Sequence, residues 1–140
     1  MKMSTRGRYG LKIIVDLAEL YVGKRGERAN IRGIAERQGL SENYIEQLIT
    51  PLKKAGFVYS MRGARGGYAL LRPPGEITVG EVLRALEGSL APVDCLDEGE
   101  GACGEADCNA CVTKNVWMKI NDSLNDVVDG MTIEDLVVGG

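Results

Sequence analysis

Histidine is absent from this chain of 140 residues. No imidazole is therefore available as a metal ligand or as a group that titrates near neutral pH. The sequence also has no convincing nucleophile–base pair, and no phosphate-binding glycine loop at a junction between a strand and a helix. These absences argue against an enzyme.

Long apolar runs are also missing. No stretch approaches the roughly 20 residues of a membrane span, and the first residues lack the apolar segment of a signal peptide. We therefore expect a cytoplasmic protein, in which reducing conditions keep the cysteines from forming a disulfide framework. Apolar residues make up 44% of the chain, which is enough for a core.

The net charge of −3 conceals two halves of opposite sign. Residues 1–72 contain 14 Lys and Arg against 6 Asp and Glu, a balance of +8. Residues 73–140 contain 3 against 14, a balance of −11. Because basic surfaces attract phosphates, the split favours DNA docking by the N-terminal part. The alternative is a protein whose two halves neutralise each other.

A helix-turn-helix is predicted around residues 41–49. Ser41 is a suitable N-cap, because its hydroxyl can accept from a free N–H of the first helical turn. One face of this helix is apolar, and the other carries short polar groups suited to reading base edges, Glu42, Asn43, Glu46 and Gln47. A shorter helical pattern at residues 32–38 and a glycine-containing turn precede it. A helical hairpin inside an ordinary core would have the same pattern.

Basic residues flank this motif on both sides. Residues 5–21 predict a first helix, whose first two turns contain Arg6, Arg8 and Lys12. Positive charge at a helix N-terminus opposes the macrodipole, so an outside phosphate would explain it, with a solvated basic end as the alternative.

A hairpin is predicted after the helix-turn-helix, with strands at residues 57–62 and 68–72 around a glycine-rich turn. In this position a hairpin is the wing of a winged helix. Arg62 and Arg65 lie at its tip, where we expect them to enter a minor groove or contact phosphate. The alternative is a hairpin that only stabilises the core.

Helical patterns return in the second half of the chain. Thr78 and Glu81 form a capping box, and residues 112–129 predict a long helix with a wide apolar stripe. We expect this stripe to pack against a second copy, giving a two-fold dimer that matches a palindromic operator, unless it packs back on its own domain. The sequence thus predicts a mainly α fold with a small β-hairpin. A winged helix-turn-helix domain would span residues 1–76, and a cysteine loop and dimerisation helix would span residues 77–140.

All four cysteines lie in one stretch, Cys95, Cys103, Cys108 and Cys111. Four thiolates can converge on a soft metal site. The spacing Cys-x4-Cys-x2-Cys is the core of the plant-ferredoxin pattern for a 2Fe–2S cluster, with the fourth cysteine here upstream. The two Cys-x-x-Cys pairs of a zinc ribbon are missing. We favour an iron–sulfur cluster, and zinc or metal-free, redox-active thiols are the alternatives.

Five segments resemble the winged-helix regulators that include IscR, NsrR and CymR, namely residues 4–11, 40–48, 62–68, 77–82 and 86–88. The resemblance covers nearly the whole chain. It implies a homodimer with a long dimerisation helix and a winged helix-turn-helix on each side. It also implies that polar residues of the second helix read the major groove, and that a wing arginine probes the minor groove.

The cysteines decide between branches of this family. In the IscR-like branch, three cysteines and one histidine hold a 2Fe–2S cluster. Three cysteines here match in order, with different spacings, and Cys111 takes the place of the histidine. Arg8 stands near the position where the nitric-oxide sensors have an acidic ligand, so that branch fits poorly. CymR-like proteins share residues 90–93 but lack the cysteine set, which makes a cluster-free repressor that senses cysteine through a partner enzyme the closest rival.

We therefore predict a dimeric transcriptional regulator that binds double-stranded DNA and senses iron–sulfur or redox status. The expected DNA-contacting residues are Arg8, Ser41, Asn43, Tyr44, Glu46, Gln47, Arg62, Gly63 and Arg65. The expected cofactor is a 2Fe–2S cluster, with zinc as the alternative. A cysteine-biosynthesis enzyme is a further partner if the protein is CymR-like. An iron–sulfur electron-transfer protein is the rival from another class.

Overall fold

The computed structural model describes residues 2–23, 28–64, 66–93, 96 and 112–138. Within them, six α-helices and one antiparallel hairpin follow in the order α1 (Thr5–Gly23), α2 (Ile31–Gln38), α3 (Glu42–Lys54), β1 (Val58–Met61), β2 (Gly67–Leu70), α4 (Val79–Glu87), α5 (Lys114–Asp129) and α6 (Ile133–Val138). The predicted mainly α fold with a small hairpin is confirmed. No described helix is long and apolar enough to cross a membrane.

Local capping defines the helix-turn-helix formed by α2 and α3. The Asn30 side chain accepts from the N–H of Gly33 at 2.7 Å and begins α2. Gly39 ends α2 with a φ of 66°, a left-handed value that glycine adopts readily. The hydroxyl of Ser41 then accepts from the N–H of Tyr44 at 3.1 Å and begins α3, as the sequence predicts.

Pro51 lies inside α3, which continues through it to Lys54. Its ring removes one N–H, the donor that would bond to the carbonyl of Gln47. Buried apolar side chains on both sides of it stabilise the helix despite that loss, Ile45, Leu48, Ile49 and Leu52.

The hairpin is attached to the segment before α2. Val58 of β1 lies opposite Leu70 of β2, and both side chains are buried. Ala29 exchanges two backbone hydrogen bonds with Tyr68, at 2.8 and 2.9 Å. This bridge extends the ladder beyond the hairpin and produces the wing of a winged helix.

One buried core contains residues from both halves of the chain, including Ile13 and Leu17 of α1 and Val82 and Leu86 of α4. The capping box at the start of α4 is present, with both of its hydrogen bonds at 3.0 Å. Because α4 packs into the same core as α1, the proposed boundary between residues 76 and 77 does not divide the packing. The division into a DNA-binding part and a cysteine and dimerisation part stays a prediction.

Candidate DNA interface and cysteine segment

The polar face of α3 is exposed along its whole length. Asn43, Glu46 and Gln47 are all exposed, whereas the apolar residues of the opposite face are fully or nearly fully buried. Burying one face fixes the rotation of the helix about its axis, so the polar side chains present a fixed row to solvent. Such a row has the donors and acceptors that base edges can pair with.

Tyr44 joins the first turn of α3 to α1. Its hydroxyl donates to the Thr5 hydroxyl at 3.3 Å. Its ring meets the ring of Tyr9 edge to face, with centroids 6.4 Å apart and planes at 78°. This half-buried tyrosine therefore positions α3 against the start of α1, a role that the polar pattern of α3 alone did not indicate.

Cations of α1 stack around the same aromatic pair. The guanidinium carbon of Arg8 lies 5.8 Å from the Tyr9 ring centre, and Nζ of Lys12 lies 5.2 Å from it. Both side chains are exposed. The Tyr9 ring attracts these charged groups, and because both side chains are exposed, their N–H donors can still meet an anion.

A shallow groove of about 460 Å³ lies beside α3, with Arg6 of α1 on one side and Gln47 and Lys54 of α3 on the other. Two cations beside an exposed polar row are suited to DNA phosphates. Sequence reasoning did not include Lys54, although the basic pair at the end of α3 was the available signal.

The wing tip projects its polar groups into solvent. Arg62 and Gly63 are exposed, and Gly63 has a φ of 104°, which favours glycine. The N–H of Gly66 donates to the carbonyl of Gly63 at 2.9 Å and closes the turn. Arg65, also predicted to contact DNA, lies outside the described residues.

The wing lies close to α3 through Tyr68 and Glu46. The pKa of the Tyr68 phenol is raised, first by burial and second by the negative charge of Glu46. The phenol therefore stays protonated at neutral pH. Tyr68 at the base of the wing is thus within electrostatic range of Glu46 on the polar face of α3. Arg8 is connected to the first turn of α3 through Tyr9 and Tyr44.

The predicted metal ligands Cys95, Cys103, Cys108 and Cys111 all lie outside the described residues. Within the part of the chain that the structure describes, no cluster of three or more Cys, Asp or Glu side chains is arranged to hold a metal. The described residues nearest to these cysteines are Val93, which follows α4, Leu96, and Val112, which precedes α5.

The long helix α5 is only partly covered by its own chain. Val128 near its end is buried, but Val116, Met118 and Val127 are 50%, 41% and 58% exposed. The C-terminal end of α5 is attached to α4 by the ion pair between Arg84 and Asp129. Val116 and Val127 of the predicted stripe, one near each end of α5, are therefore left open.

Comparison with known proteins gives the chain its family. The Rrf2 family, described as an iron-dependent transcriptional regulator, matches residues 3–139. The HTH-type transcriptional regulator CymR of Bacillus subtilis is 43% identical, over 97% of this chain and 89% of its own.

Solved structures agree with this assignment. The structure of CymR, the global cysteine regulator of B. subtilis, matches 100% of this chain and 98% of its own with a TM-score of 0.80 and 40% identity. The structure of T. potens IscR matches 99% and 88% with a TM-score of 0.78 and 42% identity. The winged-helix resemblance predicted from the sequence is confirmed, and these relatives are regulators rather than enzymes. The chain belongs to the Rrf2 family of transcriptional regulators.

Proposed function

We propose that this chain is a dimeric, DNA-binding regulator that senses iron–sulfur or redox status through its four cysteines. The observation that supports DNA binding best is the exposed polar row on α3, held at a fixed rotation by the buried side of the helix. Asn43, Glu46 and Gln47 would meet base edges in the major groove. A cytoplasmic location is part of this proposal, because such a regulator must reach the DNA.

Residues on either side of α3 would contact the DNA backbone. Ser41 caps the start of α3, and Arg8 of α1 stacks on Tyr9, which contacts Tyr44 in the first turn of α3. Phosphates on one side of the groove would pass here. The wing would place Arg62, Gly63 and Arg65 at the neighbouring minor groove. Tyr44 belongs to this interface through the support that it gives to the first turn of α3.

A second copy of the chain is the proposed partner of α5. Val116 and Val127, about three helical turns apart, lie on one face of α5 that a symmetric copy can cover. Pairing through α5 would give two α3 helices related by a two-fold axis, and such a pair fits a palindromic operator.

The four cysteines would hold the cofactor. Four thiolates are the ligand set of a 2Fe–2S cluster, and they are also able to bind zinc. When bound, the cluster supplies a redox-active centre that responds to iron, sulfide and oxidants. The ligand-bearing segment joins α4 to α5, and α4 packs directly against α1 in the core.

A cluster-free repressor of cysteine or sulfur metabolism is the second candidate. The 43% identity to CymR of B. subtilis favours it, as does the match to the structure of that global cysteine regulator. A cysteine-biosynthesis enzyme would then be the sensing partner. An electron-transfer protein is disfavoured by membership in a family of regulators.

Selection from a pool of random duplexes by the purified protein tests the DNA-binding proposal. We expect a palindrome whose half-sites are about one helical turn, roughly 10 base pairs, apart. The Glu19→Ala variant, which changes an exposed residue far along α1, is expected to select the same sequence. Failure to enrich any sequence, both before and after anaerobic cluster reconstitution, would contradict the proposal.

A further inference from the structure

The last residue of α4 caps the first turn of α1. Oε1 of Glu87 accepts from the N–H of Ser4 at 3.1 Å and from the N–H of Gly7 at 2.9 Å. The Ser4 hydroxyl donates to the same oxygen. These bonds connect residues that are at least 80 positions apart in the sequence.

The Glu87 carboxylate provides the negative charge that the first turn of α1 lacks. The first N–H groups of a helix have no partner within the helix, and negative charge stabilises that end. The first turn of α1 contains no acidic residue and instead carries Arg6 and Arg8. Glu87 therefore provides, from another helix, both the acceptor and the charge that the N-terminus of α1 requires.

Two glycines make the close approach of α4 possible. A Cβ atom at Gly7 would collide with Oε1 of Glu87, and one at Gly10 would collide with the Leu86 side chain. The contact between the end of α4 and the start of α1 thus depends on having no side chain at these positions.

The capped turn is the part of α1 that supports α3. Thr5 accepts the hydrogen bond from Tyr44, Tyr9 holds the Tyr44 ring, and Arg8 stacks on Tyr9. We propose that Glu87 is a positioning residue for DNA binding. It holds the first turn of α1 so that Arg6 and Arg8 face the DNA and Tyr44 keeps α3 in place. This inference rests on the DNA-binding function proposed above.

Electrostatics and positioning predict opposite effects of removing Glu87. Deleting a negative charge beside two arginines would, by charge alone, strengthen attraction to DNA. Loss of the cap would instead loosen the turn that carries those arginines, and DNA binding would weaken. The sign of the change therefore distinguishes the two roles.

The test compares Glu87→Ala, Glu87→Gln and the control Glu19→Ala in fluorescence-anisotropy titrations with the selected duplex at several salt concentrations. We expect Glu87→Ala to bind about fivefold or more weakly. Its salt slope should fall by about 0.9 for each phosphate contact that is lost. Glu87→Gln keeps an acceptor oxygen but loses the charge, so its affinity should lie between that of Glu87→Ala and that of the unchanged protein. Glu19→Ala should bind as tightly as the unchanged protein or slightly more tightly.

A second variant covers the case in which Glu87→Ala does not fold. Gly7→Ala keeps the charge but displaces the carboxylate, and alanine favours helix over glycine by about 1 kcal/mol. We expect weaker DNA binding without a lower melting temperature. If folded Glu87→Ala or Gly7→Ala binds as tightly as the unchanged protein, the positioning role is wrong. If the unchanged protein itself binds no DNA, the proposed function fails instead.

Discussion

Arg84 holds Asp129 in a two-pronged ion pair, with Nη1 to Oδ1 at 2.7 Å and Nη2 to Oδ2 at 3.0 Å. The same guanidinium donates to the side-chain oxygen of Asn125 at 2.8 Å. Gly80 leaves the space for this arrangement, because a Cβ atom there would collide with Asp129. The pair attaches α5 to α4 and so sets the direction in which α5 presents its exposed face.

Acid should weaken this attachment. The hydrogen bond from Arg84 lowers the pKa of Asp129 below its ordinary 3.8. A carboxyl group with a lowered folded pKa contributes stability above its unfolded pKa and loses it as the pH falls through the folded pKa. Arg84→Met should therefore cost about 0.2–1 kcal/mol at pH 7, since both side chains are more than a third exposed. In acid the difference should shrink.

Urea unfolding of Arg84→Met at pH 7 and in acid, well below 3.8, measures this effect. Arg32→Met is the matched control, because the pair between Arg32 and Glu36 is 3.5 Å long and much more exposed. We expect a smaller loss for the control. An equal loss for Arg84→Met at both pH values would contradict the assigned cause.

Gln47→Ala tests base reading. Its exposed amide should pair with a base edge, so the variant should lose about 1–3 kcal/mol of discrimination at one position in each half-site. The salt slope should stay unchanged, because no phosphate contact is removed. Competition titrations with single-position variants of the selected duplex measure this, with Glu36→Ala on α2 as the control. Unchanged discrimination at every position would exclude Gln47 as a reader.

Arg62→Ala tests the wing. Loss of one cation at the DNA should reduce the salt slope by about 0.9 and weaken binding to all sequences. If the arginine enters a narrow minor groove, the loss should be larger for A·T-rich flanks. Arg32→Ala on the exposed face of α2 provides a control of equal charge change. An unaltered salt slope would show that Arg62 of the wing makes no phosphate contact.

Val116→Asp tests the dimer surface on α5. A carboxylate buried without a partner costs about 3 kcal/mol or more, which corresponds to a dimer Kd raised about 100-fold. Sedimentation velocity over a concentration series measures the change. Val22→Asp on α1 is the control, because Val22 is similarly exposed, at 53% against 50%. Equal effects of the two substitutions would argue against pairing through α5.

The cysteines decide between the two proposed sensing modes. Anaerobic reconstitution should give a coloured protein with about two irons and two sulfides per chain. Serine at Cys95, Cys103, Cys108 or Cys111 should lower that iron content. Absorbance spectra with iron and sulfide analysis provide the measurement. A colourless, iron-free product with unchanged DNA affinity would leave the cluster-free, CymR-like repressor.

Local signals in the sequence predicted most of the fold. The caps at Ser41 and Thr78 each act within three residues, so a linear reading finds them. Thr132 and Asp135 form a similar local cap before α6, with reciprocal hydrogen bonds three residues apart. Apolar periodicity placed α1, α3 and α5 within two residues of their observed ends, except at the C-terminal end of α3.

Contacts between distant residues were not predictable in this way. No pattern in the sequence links Glu87 to Ser4, Tyr44 to Tyr9, or Arg84 to Asp129, because each pair forms only once the helices have packed. Pro51 illustrates the same limit. Proline usually ends a helix, but α3 continues through Pro51 because apolar side chains on both sides of it are buried in the core. The candidate interface was therefore predicted as residues, but its supporting contacts came from the structure.

The most direct test of DNA recognition is a competition titration with the purified protein. The selected palindromic duplex is measured against a scrambled duplex of the same length as salt is raised from about 50 to 200 mM. We expect at least 1000-fold preference for the palindrome at physiological salt, on the order typical of specific regulators. We also expect a steep loss of affinity for both duplexes. Equal affinity for the two, with and without a reconstituted cluster, would contradict a sequence-reading role for α3.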